Sequence, residues 1–112
     1  SLSDRLTPRE TIEKSLTHAA KADLTIALYN PASRSRPAHL KRACDILLRD
    51  LPDSRLCGIA RSIGRAGESW RTLTLGELRE AEADMFCTVI VGNASTKEIA
   101  GRLITPRGYK NV

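Results

Sequence analysis

Aromatic side chains are scarce in this chain: one Trp, one Phe and two Tyr among 112 residues, 4% of the total. So few rings leave little platform for stacking the bases of a single-stranded nucleic acid. No apolar run approaches the ~20 residues of a membrane span, and no charged-then-apolar leader opens the chain, so no membrane association is expected. Cysteine is limited to Cys44, Cys57 and Cys87. No C-x-x-C pair occurs, and His18 and His39 are not spaced to complete a metal site, so no metal is expected. The thiols each lie among apolar neighbours and are expected as reduced core residues of a cytoplasmic protein. The two histidines are expected on helix surfaces.

What is present suits one folded domain. Hydrophobic residues make up 41% and charged residues 28%, and the length allows one core but not two. Eighteen Lys and Arg against thirteen Asp and Glu leave a net charge of +5. That balance points to anionic partners: nucleic acid, phosphate or a polycarboxylate. The first residue is Ser rather than Met, as expected of a processed start or a piece of a longer chain.

Thr7-Pro8-Arg9-Glu10 has the form of a helix start, with a Thr cap, Pro at the first helical position and Glu three residues after the cap. Ile12, Leu16 and Ala19 or Ala20 then recur at helical spacing, which predicts a helix to about Ala22. Residues 24–29 (LTIALY) read as a short buried strand. A second helix opens at Pro37 or Ala38, with Leu40, Cys44, Leu47 and Leu51 on its apolar stripe, and ends at Leu51-Pro52. Residues 56–61 (LCGIAR) and 69–75 (SWRTLTL) read as strands that form a hairpin across the loop 62–68 (SIGRAGE). Thr74-Leu75-Gly76-Glu77 repeats the capping pattern, predicting a short helix to about Ala81. Residues 85–92 (MFCTVIVG) form the most apolar and β-branched run, hence a central strand. An edge strand is expected near residues 102–105. The sum is an α/β fold, a single mixed-sheet α/β layer domain.

Two loops after strands are candidates for ligand contact, because a rigid scaffold holds such loops in place. In the first, Asn30-Pro31 fixes a turn, and Arg34 and Arg36 can form forked hydrogen bonds to carboxylates or phosphates. In the second, Gly64 and Gly67 permit close backbone approach, flanked by Arg61 and Arg65. From spacing alone, both loops read more readily as ordinary turns. The segment GRAG lacks the Gly-Lys-Ser/Thr ending of a phosphate-binding loop and leads into a strand rather than a helix. No nucleophile–base set is legible around Ser33, Ser35 or Ser95, so no catalytic residue is assigned.

Taken in order, SLSDRLTP, ADLTIALYNPASRSRP, IARSIGRAGES, TLGEL, MFCTVIVGNAST and TPRGY resemble the C-terminal half of the precorrin-3B C(17)-methyltransferases, a family of tetrapyrrole methylases. LYNPxSxxR and TPRGY are the specific motifs, and the resemblance covers essentially the whole chain. It implies transfer of a methyl group from S-adenosylmethionine to a ring carbon of a corrin precursor. It also implies two α/β domains with the cofactor in the cleft between them, and a homodimer. Residues 1–112 then correspond to the second domain, without the N-terminal cofactor-binding domain, and alone are not expected to be competent. The family pattern carries cofactor contacts onto Tyr29, Asn30 and Pro31, and onto Ile63 and Gly64. Ser33, Arg34, Arg36 and Arg65 become the partners of the precorrin carboxylates. Two other classes compete with this reading. One is a basic nucleic-acid-binding module, suggested by the charge and the Arg/Lys run 34–42; the other is a stand-alone dimerisation domain.

Overall fold

The computed structural model describes residues 1–2, 8–29, 38–84 and 86–106. Helix α1 (Arg9–Lys21) is followed by strand β1 (Ile26–Tyr29), helix α2 (His39–Leu47), strands β2 (Leu56–Arg61) and β3 (Ser69–Thr74), and helix α3 (Leu75–Glu80). Strands β4 (Cys87–Val91), β5 (Lys97–Ile99) and β6 (Arg102–Ile104) complete the order. The main sheet runs β1-β4-β2-β3 and every pair in it is antiparallel; β5 and β6 form a separate hairpin. The expected α/β layer, the β2–β3 hairpin and the central position of the most apolar strand are all present.

Register gives the sheet two distinct faces. Ile26, Leu28, Cys57, Ile59, Leu73, Cys87, Val89 and Val91 are buried, together with Leu16 and Ala20 of α1, the α2 stripe, and Leu75 and Leu78 of α3, in one core. Residues directly opposite in an antiparallel pair point to the same face. The row Tyr29–Thr88–Ala60–Trp70 therefore crosses all four strands on the other face. Tyr29 and Trp70, at the two sheet edges, are 54% and 42% exposed. A Cβ at Gly58 would come within 2.1 Å of the Trp70 ring, so the absent side chain admits the indole. That indole N–H donates to the Gly101 carbonyl at 2.9 Å, which ties the β5–β6 turn to the sheet.

Several expected boundaries move, each for a local reason. Pro8 is the N-cap, with an extended ψ of 141°, so α1 begins one residue later than expected; Thr7 lies outside the described residues. Strand β1 starts at Ile26 rather than Leu24, because Leu24 is used to close α1. Asp23 sits at φ 56°, its N–H donates to the Ala20 carbonyl at 3.1 Å, and the Leu24 N–H reaches back to the Ala19 carbonyl at 3.0 Å. This is a Schellman closure with Asp in the left-handed position usually taken by Gly. Helix α2 stops at Leu47, after which the Arg49 and Asp50 N–H groups reach only three residues back, a tightened turn leading to Pro52.

The expected edge strand near 102–105 is half of a hairpin. Its two-residue turn, Ala100 and Gly101, has both φ values positive, at 52° and 76°, as a type I′ turn requires. Ala is not a residue that advertises such a turn, and three-residue strands are too short to show alternation. Helix α3 fits its expectation: Thr74 and Glu77 form a reciprocal capping box. All three cysteines are buried and unpaired. Burial pushes the Cys44 and Cys57 thiols up to about 12, and raises Cys87 as well, so they serve as small core residues. His18 is exposed on α1, while His39 is half-buried at the start of α2.

Candidate ligand-binding end of the sheet

Strands β1 and β2 both run antiparallel to β4, so they are parallel to each other and their C-terminal ends lie at the same end of the sheet. With β4 between them, these ends are two strand spacings apart, about 10 Å. Tyr29 and Arg61, after which the two loops singled out from sequence begin, therefore share one sheet end. Asn30, Pro31, Ser33, Arg34 and Arg36 lie outside the described residues.

Tyr29 closes β1, and its carbonyl accepts a hydrogen bond from the Leu2 N–H at 2.8 Å. A carbonyl has two lone pairs and can accept from a second donor as well. The second loop is two successive turns. The Arg65 N–H donates to the Ser62 carbonyl at 2.9 Å, and the Glu68 N–H to the Arg65 carbonyl at 3.1 Å. Gly64 (φ 74°) and Gly67 (φ 84°) each occupy the third position of their turn, where a positive φ favours glycine. Turn geometry thus explains both glycines and their spacing. Beside Gly64 there is open space, with no atom within 4 Å of a built Cβ. Ile63, one residue earlier, is 61% exposed. The turn presents an apolar side chain and unobstructed backbone, which suits a ligand held through main-chain contacts and a flat apolar surface.

Between the C-terminal ends of β1 and β2 lies the mouth of β4, and there the structure adds residues that sequence reading passed over. Phe86 is 52% exposed, and its carbonyl accepts from the Ser62 N–H at 3.0 Å. The Arg65 guanidinium carbon lies 5.9 Å from the centre of the Phe86 ring, at the edge of cation–π range. Asp84 gathers three donors. Arg61 Nη2 donates to Oδ2 at 2.5 Å, and the Phe86 N–H donates to Oδ1 at 2.9 Å. The Cys87 thiol also reaches Oδ1, at 3.5 Å. Arg65 is therefore at this sheet end as expected, but held against an aromatic ring rather than extended alone. The signal for Asp84 was available, a carboxylate just ahead of an apolar strand, but attention to loops after strands missed residues placed before one.

Arg61 and Asp84 also border an open depression of about 660 Å³, together with Lys41 and Arg79. Among the described residues three cations and three carboxylates line it, the acids being Glu80, Glu82 and Asp84. Arg79 is shared there between Asp45 and Glu80; its hydrogen bond holds the Asp45 carboxyl below the usual range, and the two acids raise Arg79. Among the described residues no group of three or more His, Cys, Asp or Glu could hold a metal ion, and no helix is long and apolar enough to cross a membrane.

No family model matches the chain. Individual proteins do. The chain is 45% identical over 109 residues to the probable cobalt-factor III C(17)-methyltransferase of Salmonella typhimurium, covering 97% of this chain and 45% of that protein. It is 41% identical over 114 residues to the precorrin-3B C(17)-methyltransferase of a Sinorhizobium species, covering 97% of this chain and 45% of that protein. The crystal structure of the methyltransferase CobJ superposes with a TM-score of 0.82 at 39% identity, over 94% of this chain and 44% of that one. Fold and matches together define a methyltransferase-type α/β domain. Over nearly its whole length the chain is similar to the cobalt-factor III and precorrin-3B C(17)-methyltransferases, in line with the resemblance read from the sequence. It spans about half the length of the relatives it matches.

Proposed function

We propose that the chain is the second domain of an S-adenosylmethionine-dependent methyltransferase that methylates carbon 17 of precorrin-3B, or of its cobalt form, in cobalamin biosynthesis. The observation that carries this reading is the 45% identity, over 97% of the chain, to a relative named for that reaction. In this reading an N-terminal domain supplies the rest of the cofactor site, and the complete enzyme is a cytoplasmic homodimer.

The sulfonium of the bound cofactor would supply an electrophilic methyl group. The protein's part is then to align the acceptor carbon with that methyl and to exclude water, which requires no acid or base from this chain. The Ile63–Gly64 turn supports the assignment of a cofactor shelf, through its exposed apolar side chain and open backbone. Tyr29, Asn30 and Pro31 would form the shelf across β4. Ser33, Arg34, Arg36 and Arg65 would meet the acetate and propionate groups of the macrocycle, where a guanidinium fork matches a carboxylate.

The complete enzyme should bind S-adenosylhomocysteine in calorimetry and methylate precorrin-3B or cobalt-factor III. Arg34→Ala should weaken the tetrapyrrole by about ten-fold, the scale of one charge-assisted hydrogen bond, with a smaller loss for the cofactor product. Equal losses for both ligands would count against the division of roles. Salt-sensitive duplex binding without affinity for S-adenosylhomocysteine would overturn the reading in favour of a nucleic-acid module.

A further inference from the structure

Three contacts tie the Ile63–Gly64 turn to the mouth of β4. The Arg61 side chain reaches Asp84 at 2.5 Å, the Ser62 N–H reaches the Phe86 carbonyl at 3.0 Å, and the Arg65 guanidinium lies over the Phe86 ring. These three contacts bracket the turn from both ends, and all lead to two residues at the mouth of β4. Asp84 in turn fixes Phe86, accepting its N–H at 2.9 Å. Ser62 is held at φ 52°, a left-handed conformation that a non-Gly residue keeps only where surrounding contacts over-determine it.

We propose that Asp84 and Phe86 are positioning residues, which act through Arg61, Ser62 and Arg65 to hold the Ile63–Gly64 turn where its backbone can meet the cofactor. This rests on the proposed function, since the ligand is the one named there. The Arg61–Asp84 pair is solvent-accessible on both sides, and such pairs add little to global stability. Its contribution is therefore local: it sets the angle at which the loop leaves β2. Phe86 lies at the start of β4, between the β1 and β2 strand ends.

The test uses the complete enzyme titrated calorimetrically with S-adenosylhomocysteine, with thermal melting alongside. Asp84→Asn and Arg61→Ala should each weaken binding about three- to five-fold, the scale of one exposed ion pair. The double variant should bind no worse than either single one, because both remove one interaction. Phe86→Leu should weaken binding on the same scale while keeping an apolar residue at the position. Melting midpoints should stay within about 2 °C of wild type, and the exchanged pair Arg61→Asp with Asp84→Arg should recover part of the affinity. Additive losses, or losses that track the melting midpoint, would overturn the positioning role. If Asp84→Asn does not fold, Arg61→Ala removes the same pair and decides the question. Wild-type enzyme without affinity for S-adenosylhomocysteine would overturn the functional reading itself; wild-type binding matched by every variant would overturn only the positioning role.

Discussion

At the sheet end where β1 and β2 begin, the turns are bonded back into the chain. The Gly92 N–H donates to the Leu56 carbonyl at 2.9 Å, and the Ala94 N–H to Asp23 Oδ1, also at 2.9 Å. The Asn93 side chain accepts from the Ser95 N–H at 3.0 Å, while Thr96 Oγ1 accepts from the Asn93 N–H at 2.8 Å. The α3 cap is sealed by Thr74 and Glu77. At the opposite end, Tyr29, Ile63 and Phe86 are exposed, and Gly64 stands beside open space. One end uses its polar groups to finish the fold. The other leaves apolar side chains and backbone facing outward, an arrangement whose cost a ligand or a second domain can offset. On the proposed function, recognition would fall to the second end and structural closure to the first.

Substitutions at matched positions should break or sharpen that division. The largest effect is expected at Gly92, where a Cβ would fall 2.6–2.7 Å from the atoms of Thr96. Gly92→Ala should cost about 2 kcal/mol of stability through overpacking, read as a shift in the urea midpoint, with cofactor-product affinity unchanged. Thr74→Ala, at the same end, should cost about 1 kcal/mol by removing the cap hydroxyl, measured in the same way. Gly64→Ala, at the open end, should cost no more than about 1 kcal/mol, because only the left-handed φ penalises it. Its larger consequence should be weaker S-adenosylhomocysteine binding. If Gly92→Ala impaired binding and Gly64→Ala did not, the two ends would have to exchange roles.

The smallest effect is in pH dependence. Hydrogen bonds from the Thr74 N–H and hydroxyl hold Glu77 below its ordinary 4.5, and Arg79 holds Asp45 below 3.8. Both carboxyls are more acidic folded than unfolded. Their stabilisation is therefore complete above those ordinary values and is lost as pH falls through the lower, folded ones. Glu77→Gln should flatten part of that acid limb in urea midpoints measured across pH. A limb of unchanged slope would show that the capping box carries no charge-dependent stability.

Much of this fold was legible because its signals are local. The capping box at Thr74, the exact span of β2 and the apolar run of β4 each depend on near neighbours in sequence, where hydrogen bonding and periodicity act directly. The closure of α1 was less legible, since Asp23 takes a conformation usually marked by Gly, and Leu24 looks like a strand residue until its N–H is placed. The β5–β6 hairpin was half seen, because Ala100-Gly101 is an uncommon pair for its turn. Of the candidate site, Tyr29, Ile63, Gly64 and Arg65 were named from strand ends and family motifs, but Asp84 and Phe86 were passed over. Their importance comes from a register that sets β4 between β1 and β2.

The sequence alone determined the α/β class, the order of the main elements, the burial of the cysteines and the family resemblance, because composition, periodicity and motifs are written along the chain. Only the tertiary structure decided that the sheet is antiparallel throughout its described strands, that β1 and β2 end at the same side of it, and that Asp84 and Phe86 bond to the turn after β2. Those facts depend on pairing between segments distant along the chain. Such pairing is set by which register buries the most apolar surface at once, and no single segment records that choice.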